Sequence, residues 1–217
     1  MEFLKDFDSR SILMADLEYN MSFTAGGLFY LESPDIAEIY FDCKNWEAVK
    51  EKAHSDNTIQ SKTQASLKRF SREIISRLQL LNEDQLALLL TGNDQEKKGL
   101  LWIATCKKHK FINDFAVEVV REKFLHLDFK MTYRDFDVFF NKKAEWHQEL
   151  EKLTTTTRNK IRQVLFRMMR EADILLPNDE INRIHFSQRL SKTISKSNKA
   201  DFLVFPLPDV EISRLMV

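Results

Sequence analysis

The sequence predicts a mainly α-helical protein of helical, bundle-like lobes with two helix-turn-helix units, the C-terminal one winged by a short β-hairpin. Three observations carry that expectation. Four Gly and four Pro in 217 residues leave few places for the backbone to abandon regular structure. Leu and aromatic residues recur at steps of three and four between charged stretches, the spacing of helices with one face turned inward. Seventeen Phe need an interior to pack in, and a chain of this length can bury one, as one large domain or two small ones.

Taken in order, the acidic N-terminal stretch holds a short helix over 11–19. Thr24 caps a helix that runs toward Tyr40 with a break at Pro34. Trp46, Val49 and Ala53 mark a short helix that ends in the polar stretch 54–58. A longer helix covers about 62–80, with Leu67, Phe70, Ile74, Leu78 and Leu81 on its apolar stripe and Lys62, Ser66, Arg69, Arg72 and Ser76 opposite. Short helix, polar turn, then a helix with a basic outer face is the layout of a helix-turn-helix. Helices over 83–90, ending at Gly92, and over 95–108 follow, then one over 113–125 capped by Asn113. Thr132 caps a helix with Tyr133, Phe136, Phe139 and Phe140 on its apolar face, and Trp146 and Leu150 belong to a short one. Thr154–Thr157 open a helix that ends near Ala172, with Ile161, Val164, Leu165, Met168 and Ala172 on one side. After Pro177 the periodicity fades. Residues 181–186 and 202–205 read as short strands around the basic stretch 189–199, a candidate wing. The expected organisation is an N-terminal segment 1–20, a lobe over 21–105 and a second lobe over 106–217.

Formal net charge is zero, from 33 basic and 33 acidic residues, so the chain as a whole is no polycation. The charges are clustered, however. Glu32–Asp56 holds seven acids against three Lys, and Ser61–Leu81 five bases against one acid. Thr157–Arg170 and Asn182–Ala200 each hold five bases and no acid. Local positive fields of this kind suit the phosphates of double-stranded nucleic acid. The candidate binding residues are Lys62, Lys68, Arg69 and Arg72 on the first basic helix. On the second they are Thr156, Thr157, Arg158, Asn159, Lys160, Arg162, Gln163, Arg167 and Arg170, and in the tail Lys192, Lys196 and Lys199. Threonines at a helix start can hold a phosphate with the help of the helix dipole. Asn159, Arg162 and Gln163 have the donors to reach base edges in a major groove. A solvated amphipathic face is the competing reading of each helix, and a loop that of 189–199. Phe166 falls on the polar side of its helix, either packed on another lobe or partner or simply exposed.

Signals for catalysis and for metals are missing. Gly26-Gly27 lacks the Lys-Ser/Thr of a phosphate loop, and the five His show no two-ligand helical spacing. Asp114, Glu118 and Glu122 share a helix face that could hold a cation, although a solvated acidic stripe is the simpler reading. Cys43 and Cys106 read as reduced thiols, the second buried and inert. No cofactor, metal or catalytic residue is expected. MEFLKDFDSR lacks the apolar run of a secretion signal, and no run spans a bilayer, which points to a cytoplasmic protein that avoids membranes.

Four segments carry a family resemblance: Ser22–Leu28 (SFTAGGL), Asn113–Phe124 (NDFAVEVVREKF), Thr132–Phe140 (TYRDFDVFF) and Thr156–Asp173 (TTRNKIRQVLFRMMREAD). They are similar, in order and over nearly the whole chain, to the BrxA family, the small first component of bacterial BREX (bacteriophage exclusion) defence systems. The resemblance implies a small helical DNA-binding protein with no catalytic residue, 156–170 being a binding helix. It also implies larger BREX partners, among them an adenine methyltransferase and ATPases. The family's likeness to a bacterial antitermination factor implies RNA as an alternative ligand. An interaction scaffold, its acidic and basic faces docking on partner proteins, is a third reading.

Overall fold

Helix starts in this chain are set by side chains that take up the first unpaired amides. In the computed structural model, which describes residues 18–24 and 26–216, Asn45, Thr63, Asn82, Asn93, Thr154 and Ser187 each accept a backbone hydrogen bond from the turn they open. Asn82 with Gln85 and Asn93 with Glu96 close reciprocal capping boxes. The helices are α1 (Glu32–Cys43), α2 (Trp46–Ser55), α3 (Gln64–Leu78), α4 (Glu83–Thr91), α5 (Asp94–Lys108), α6 (Lys110–Phe115), α7 (Glu122–Leu125), α8 (Tyr133–Ala144), α9 (Gln148–Glu151), α10 (Thr155–Glu171), α11 (Gln188–Ser197) and α12 (Asp209–Leu215). Between α6 and α7 the helix widens to π geometry over Ala116–Arg121, and a 3-10 helix covers Lys199–Val204.

The core forms around α5, whose residues Gly99–Cys106 are all buried. Trp102 donates from Nε1 to the Val204 carbonyl at 2.9 Å, tying the 3-10 helix to α5. Phe111 and Phe115 of α6 meet Phe139 of α8 edge-on, with centroids 5.2 and 5.3 Å apart. Leu28, Ile36 and Val49 complete the packing on the α3 side, where Leu67, Ile74 and Leu78 form the expected apolar stripe.

A strap of non-helical chain, described over 22–24 and 26–28, crosses this core and is held by polar groups. Phe23 and Leu28 are buried in it, and Gly26 turns it at φ +103°, a conformation that favours glycine. Arg77 of α3 is 2% exposed and donates from Nη1 to the Gly27 carbonyl at 2.8 Å and to Thr105 Oγ1 at 3.2 Å. Its Nε donates to Glu73 Oε1 at 2.8 Å, the oxygen that also lies 2.7 Å from His109 Nε2. Leu28 N donates to Glu171 Oε2, at the end of α10, at 2.6 Å. Just upstream, Tyr19 donates from its amide to Glu149 Oε1 and from its hydroxyl to Asp114 Oδ2, each at 2.7 Å.

Burial raises the Glu73 carboxyl, but the His109 hydrogen bond and the Arg77 charge outweigh that and bring its pKa down to about 2. Burial holds His109 below the usual histidine value. The neutral ring then donates from Nε2, and its Nδ1 has no partner in the core.

Several sequence expectations are corrected. Pro34 sits in the first turn of α1, where its missing N–H is not needed, and causes no break. Thr24 caps nothing, and its hydroxyl accepts from Arg69. The helix expected from Asn113 starts at Lys110. The helix expected over 11–19 lies outside the described residues, apart from Glu18 and Tyr19, which are not helical. No strand occurs among the described residues, so the β-hairpin wing is absent there. Ile181 makes only an isolated bridge with Leu175, and 202–204 belong to the 3-10 helix. The stretch between them is α11, with Leu190 and Ile194 one turn apart on its buried face.

Two outcomes follow from the strap. Glu73 and His109 both bind a proton more readily unfolded than folded, so stability is kept at neutral pH and lost on acidification. The loss begins below the ordinary histidine value of 6.5 and steepens as Glu73 protonates between 4.5 and about 2, which urea midpoints across that range will show. A Cβ at Gly27 would overlap the Glu171 carboxylate. Gly27→Ala should therefore cost about 1–2 kcal/mol in denaturant melts through the lost Leu28 hydrogen bond, and less in a Glu171→Ala background.

Candidate nucleic-acid interface

α10 is 17 residues long, about 25 Å at 1.5 Å per residue. Ile161, Val164, Leu165, Met168 and Ala172 all face the core as expected. Phe166 is buried as well, edge-on to Tyr133 at 4.9 Å, so it packs within this chain. What remains outward is a stripe at steps of four, three and four: Thr156, Lys160, Gln163 and Arg167, all exposed.

The arginines on the flanks of α10 are not free. Asp137 of α8 takes Arg158 Nη2 at 3.0 Å and Arg162 Nη1 at 2.7 Å. The two guanidinium groups lie over the rings of Phe140 and Tyr133, at 4.4 and 4.5 Å from their centroids. Arg162 also donates to Asn159 Oδ1 at 3.1 Å, so two candidate base readers hold each other. Arg170 donates from Nε and Nη2 to Asp179 Oδ1 at 2.9 and 2.6 Å. A stretch without acids in sequence thus meets carboxylates in space. Arg167 is looser, 3.6 Å from Glu171 Oε1 and half exposed, and Lys160 has no carboxylate partner among the described residues.

At the start of α10, Thr154 accepts from the Thr157 amide at 3.2 Å. The amides of Thr155 and Thr156 precede the helical ladder, at the positive end of the dipole. Lys68, Arg69 and Arg72 of α3 are exposed and, with Ser22, line a hollow of about 430 Å³. Lys62 lies just before the cap of α3, also exposed. Arg69 donates to Thr24 Oγ1 at 3.2 Å while Glu171 holds Leu28, so the basic face of α3 and the Arg167 end of α10 flank the same strap.

Lys192 and Lys196 belong to a different surface, since α11 packs on α4, α12 and the 3-10 helix that Lys199 begins. The acidic face of α6 and the π segment is engaged by cations. Asp114 accepts from Lys110 and Tyr19, and Glu118 from Lys143. Cys106 is buried, and burial pushes its thiol pKa up, whereas Cys43 is exposed. Sequence reading missed Asp137 and Asp179 as partners of the arginines. It also placed Trp146 inside a helix, whereas the residue stands 80% exposed in the turn before α9.

The BrxA family model matches residues 17–198. The chain belongs to the BrxA family. A Bacillus cereus protein named BREX protein BrxA is 29% identical over 135 residues, covering 62% of this chain and 67% of its own. An Escherichia coli protein of the same name is 24% identical over 162 residues, covering 75% and 76%. The crystal structure of an uncharacterized protein from Magnetospirillum magneticum has the same fold, with a TM-score of 0.74 at 17% identity over 87% of this chain and 97% of that one. The BrxA match takes in α1–α11 and stops at Asn198, before the 3-10 helix and α12. No helix among the described residues is long and apolar enough to cross a membrane.

The Asp137 clamp gives a direct measurement. A double-mutant cycle of Asp137→Ala with Arg162→Ala should return a coupling of about 0.5–1 kcal/mol in urea melts, the range of a partly screened pair.

Proposed function

We propose that this BrxA-family chain is a non-catalytic, double-stranded DNA-binding component of a BREX anti-phage system. The observation that carries the reading is the outward stripe of α10. It joins a helix start with unpaired amides and threonine hydroxyls to Lys160, Gln163 and Arg167, none of them needed by the core.

A phosphate at Thr155–Thr156 fixes the helix end, and Lys160 and Arg167 meet further phosphates along about 25 Å of helix. Gln163, between the two cations, has the amide that reads adenine in a major groove. Lys68, Arg69 and Arg72 extend the cationic surface across the strap. In this reading α2–α3 and α8–α10 act as two helix-turn-helix units that present α3 and α10 to the duplex. The flanking arginines, tied to Asp137 and Asp179, stiffen the binding helix, and contact with the duplex falls to the outer stripe. Sequence preference is then modest, because phosphate contacts outnumber base contacts. Larger BREX proteins, a methyltransferase and ATPases, supply the chemistry.

The test is a variant with Lys68, Lys160 and Arg167 all changed to Ala, none of which contributes to the buried core. Duplex affinity should fall about 10- to 100-fold, and the log–log salt slope should become shallower by about one unit per cation removed. A folded triple variant that binds as the parent does would take α3 and α10 out of the interface.

A further inference from the structure

Between α11 and α12 lies a groove of about 690 Å³ that the DNA reading leaves unused. Phe186, Leu215 and Met216 make its apolar wall, and Lys192, Lys196 and Arg214 its rim. No acidic residue lines it among the described residues. None of these three cations is in an ion pair among the described residues, unlike Arg158, Arg162 and Arg170.

The small residues at the base of the groove settle what it can accept. Ser191 donates its hydroxyl to the Ser187 carbonyl at 2.9 Å, and Ser195 donates to the Leu215 carbonyl at 3.1 Å. Both hydroxyl hydrogens are used within the chain, so these serines offer an occupant a methylene and an oxygen that only accepts, and no donor for an anion. The rim cations suit any anion, and the aliphatic wall decides between them, because a phosphate backbone gains nothing from it. A helix with an apolar stripe would bury that wall and set carboxylates opposite the three rim cations, the helix-in-groove mode of recognition.

We infer that the α11–α12 groove is a docking site for an acidic amphipathic helix of a partner protein, with Lys192, Lys196 and Arg214 pairing its carboxylates. The assignment moves Lys192 and Lys196 from the nucleic-acid surface to a protein surface. One wall of the groove, α12, lies beyond the BrxA match, whereas α11 with Lys192 and Lys196 lies within it.

The full-length protein is titrated with a fluorescent synthetic helix of about 15 residues, with Leu at helical spacing and Glu elsewhere. A scrambled peptide of the same composition and duplex DNA are the other two probes. The patterned peptide should bind and the scrambled one should not. The combined K192E, K196E and R214E substitutions, all on exposed positions, should weaken peptide binding at least about tenfold and leave duplex affinity within about twofold. Met216→Glu, on the apolar wall, should do the same without touching the rim. Failure of the patterned peptide to bind, equal binding of the scrambled one, or loss of DNA affinity with peptide affinity retained would overturn the assignment. The last result would return the three cations to the nucleic-acid surface, whereas the DNA reading itself is judged by duplex binding of the unaltered protein.

Discussion

The buried guanidinium of Arg77 is the constraint on which this fold turns. A charge that deep must be paired and hydrogen-bonded, because leaving it unmatched costs several kcal/mol. Glu73 matches its charge from one turn earlier on the same helix. The Gly27 carbonyl and the Thr105 hydroxyl then fix where the strap and α5 lie relative to α3. His109 joins the same carboxylate from the start of α6. Three stretches of chain, α3, the strap and the α5–α6 junction, are thereby referred to one cation. Glycine at 27 follows from it, since the carbonyl that Arg77 grasps belongs to a residue whose Cβ would collide with Glu171.

The surface follows from how internal carboxylates are placed. α10 carries five cations, and Asp137 and Asp179 bind three of them. The Asp137 pairs, backed by the rings of Phe140 and Tyr133, orient the helix on α8, and a narrow polar stripe is left facing solvent. A helix held this rigidly loses little conformational entropy when it meets a ligand. The same placement separates two kinds of basic surface. One is polar and crosses the strap between α3 and α10; the other rims an apolar groove at the C-terminal end.

Much of the fold was legible because the helix signals were local. The threonines at 154–157, Gly92 and the apolar steps of α3 and α10 placed α3, α4 and α10 to within a residue or two. The wing failed for a physical reason. Phe202–Phe205 is an apolar run, and such a run does not distinguish a strand from a 3-10 turn that fills a core. Within 189–199, Leu190 and Ile194 one turn apart, together with the cap at Ser187, already marked a helix among the lysines. Long-range charge pairing was illegible. Nothing local announces that Asp137 will reach Arg158 and Arg162, or that Arg77, one base in a basic block, is core. The family resemblance, by contrast, rested on residues that the structure uses: SFTAGGL is the strap, and TYRDFDVFF supplies both the aromatic cluster and the Asp137 clamp.

In the proposed function a chain with no net charge binds duplex DNA through the cationic faces of α10 and α3. The most direct measurement is titration of labelled duplex DNA and duplex RNA with the purified protein across a salt series. Binding should be tighter to DNA, with an association constant that falls linearly on a log–log plot by about 0.9 for each phosphate contacted. No binding to DNA at low salt, or a clear preference for RNA, would contradict it.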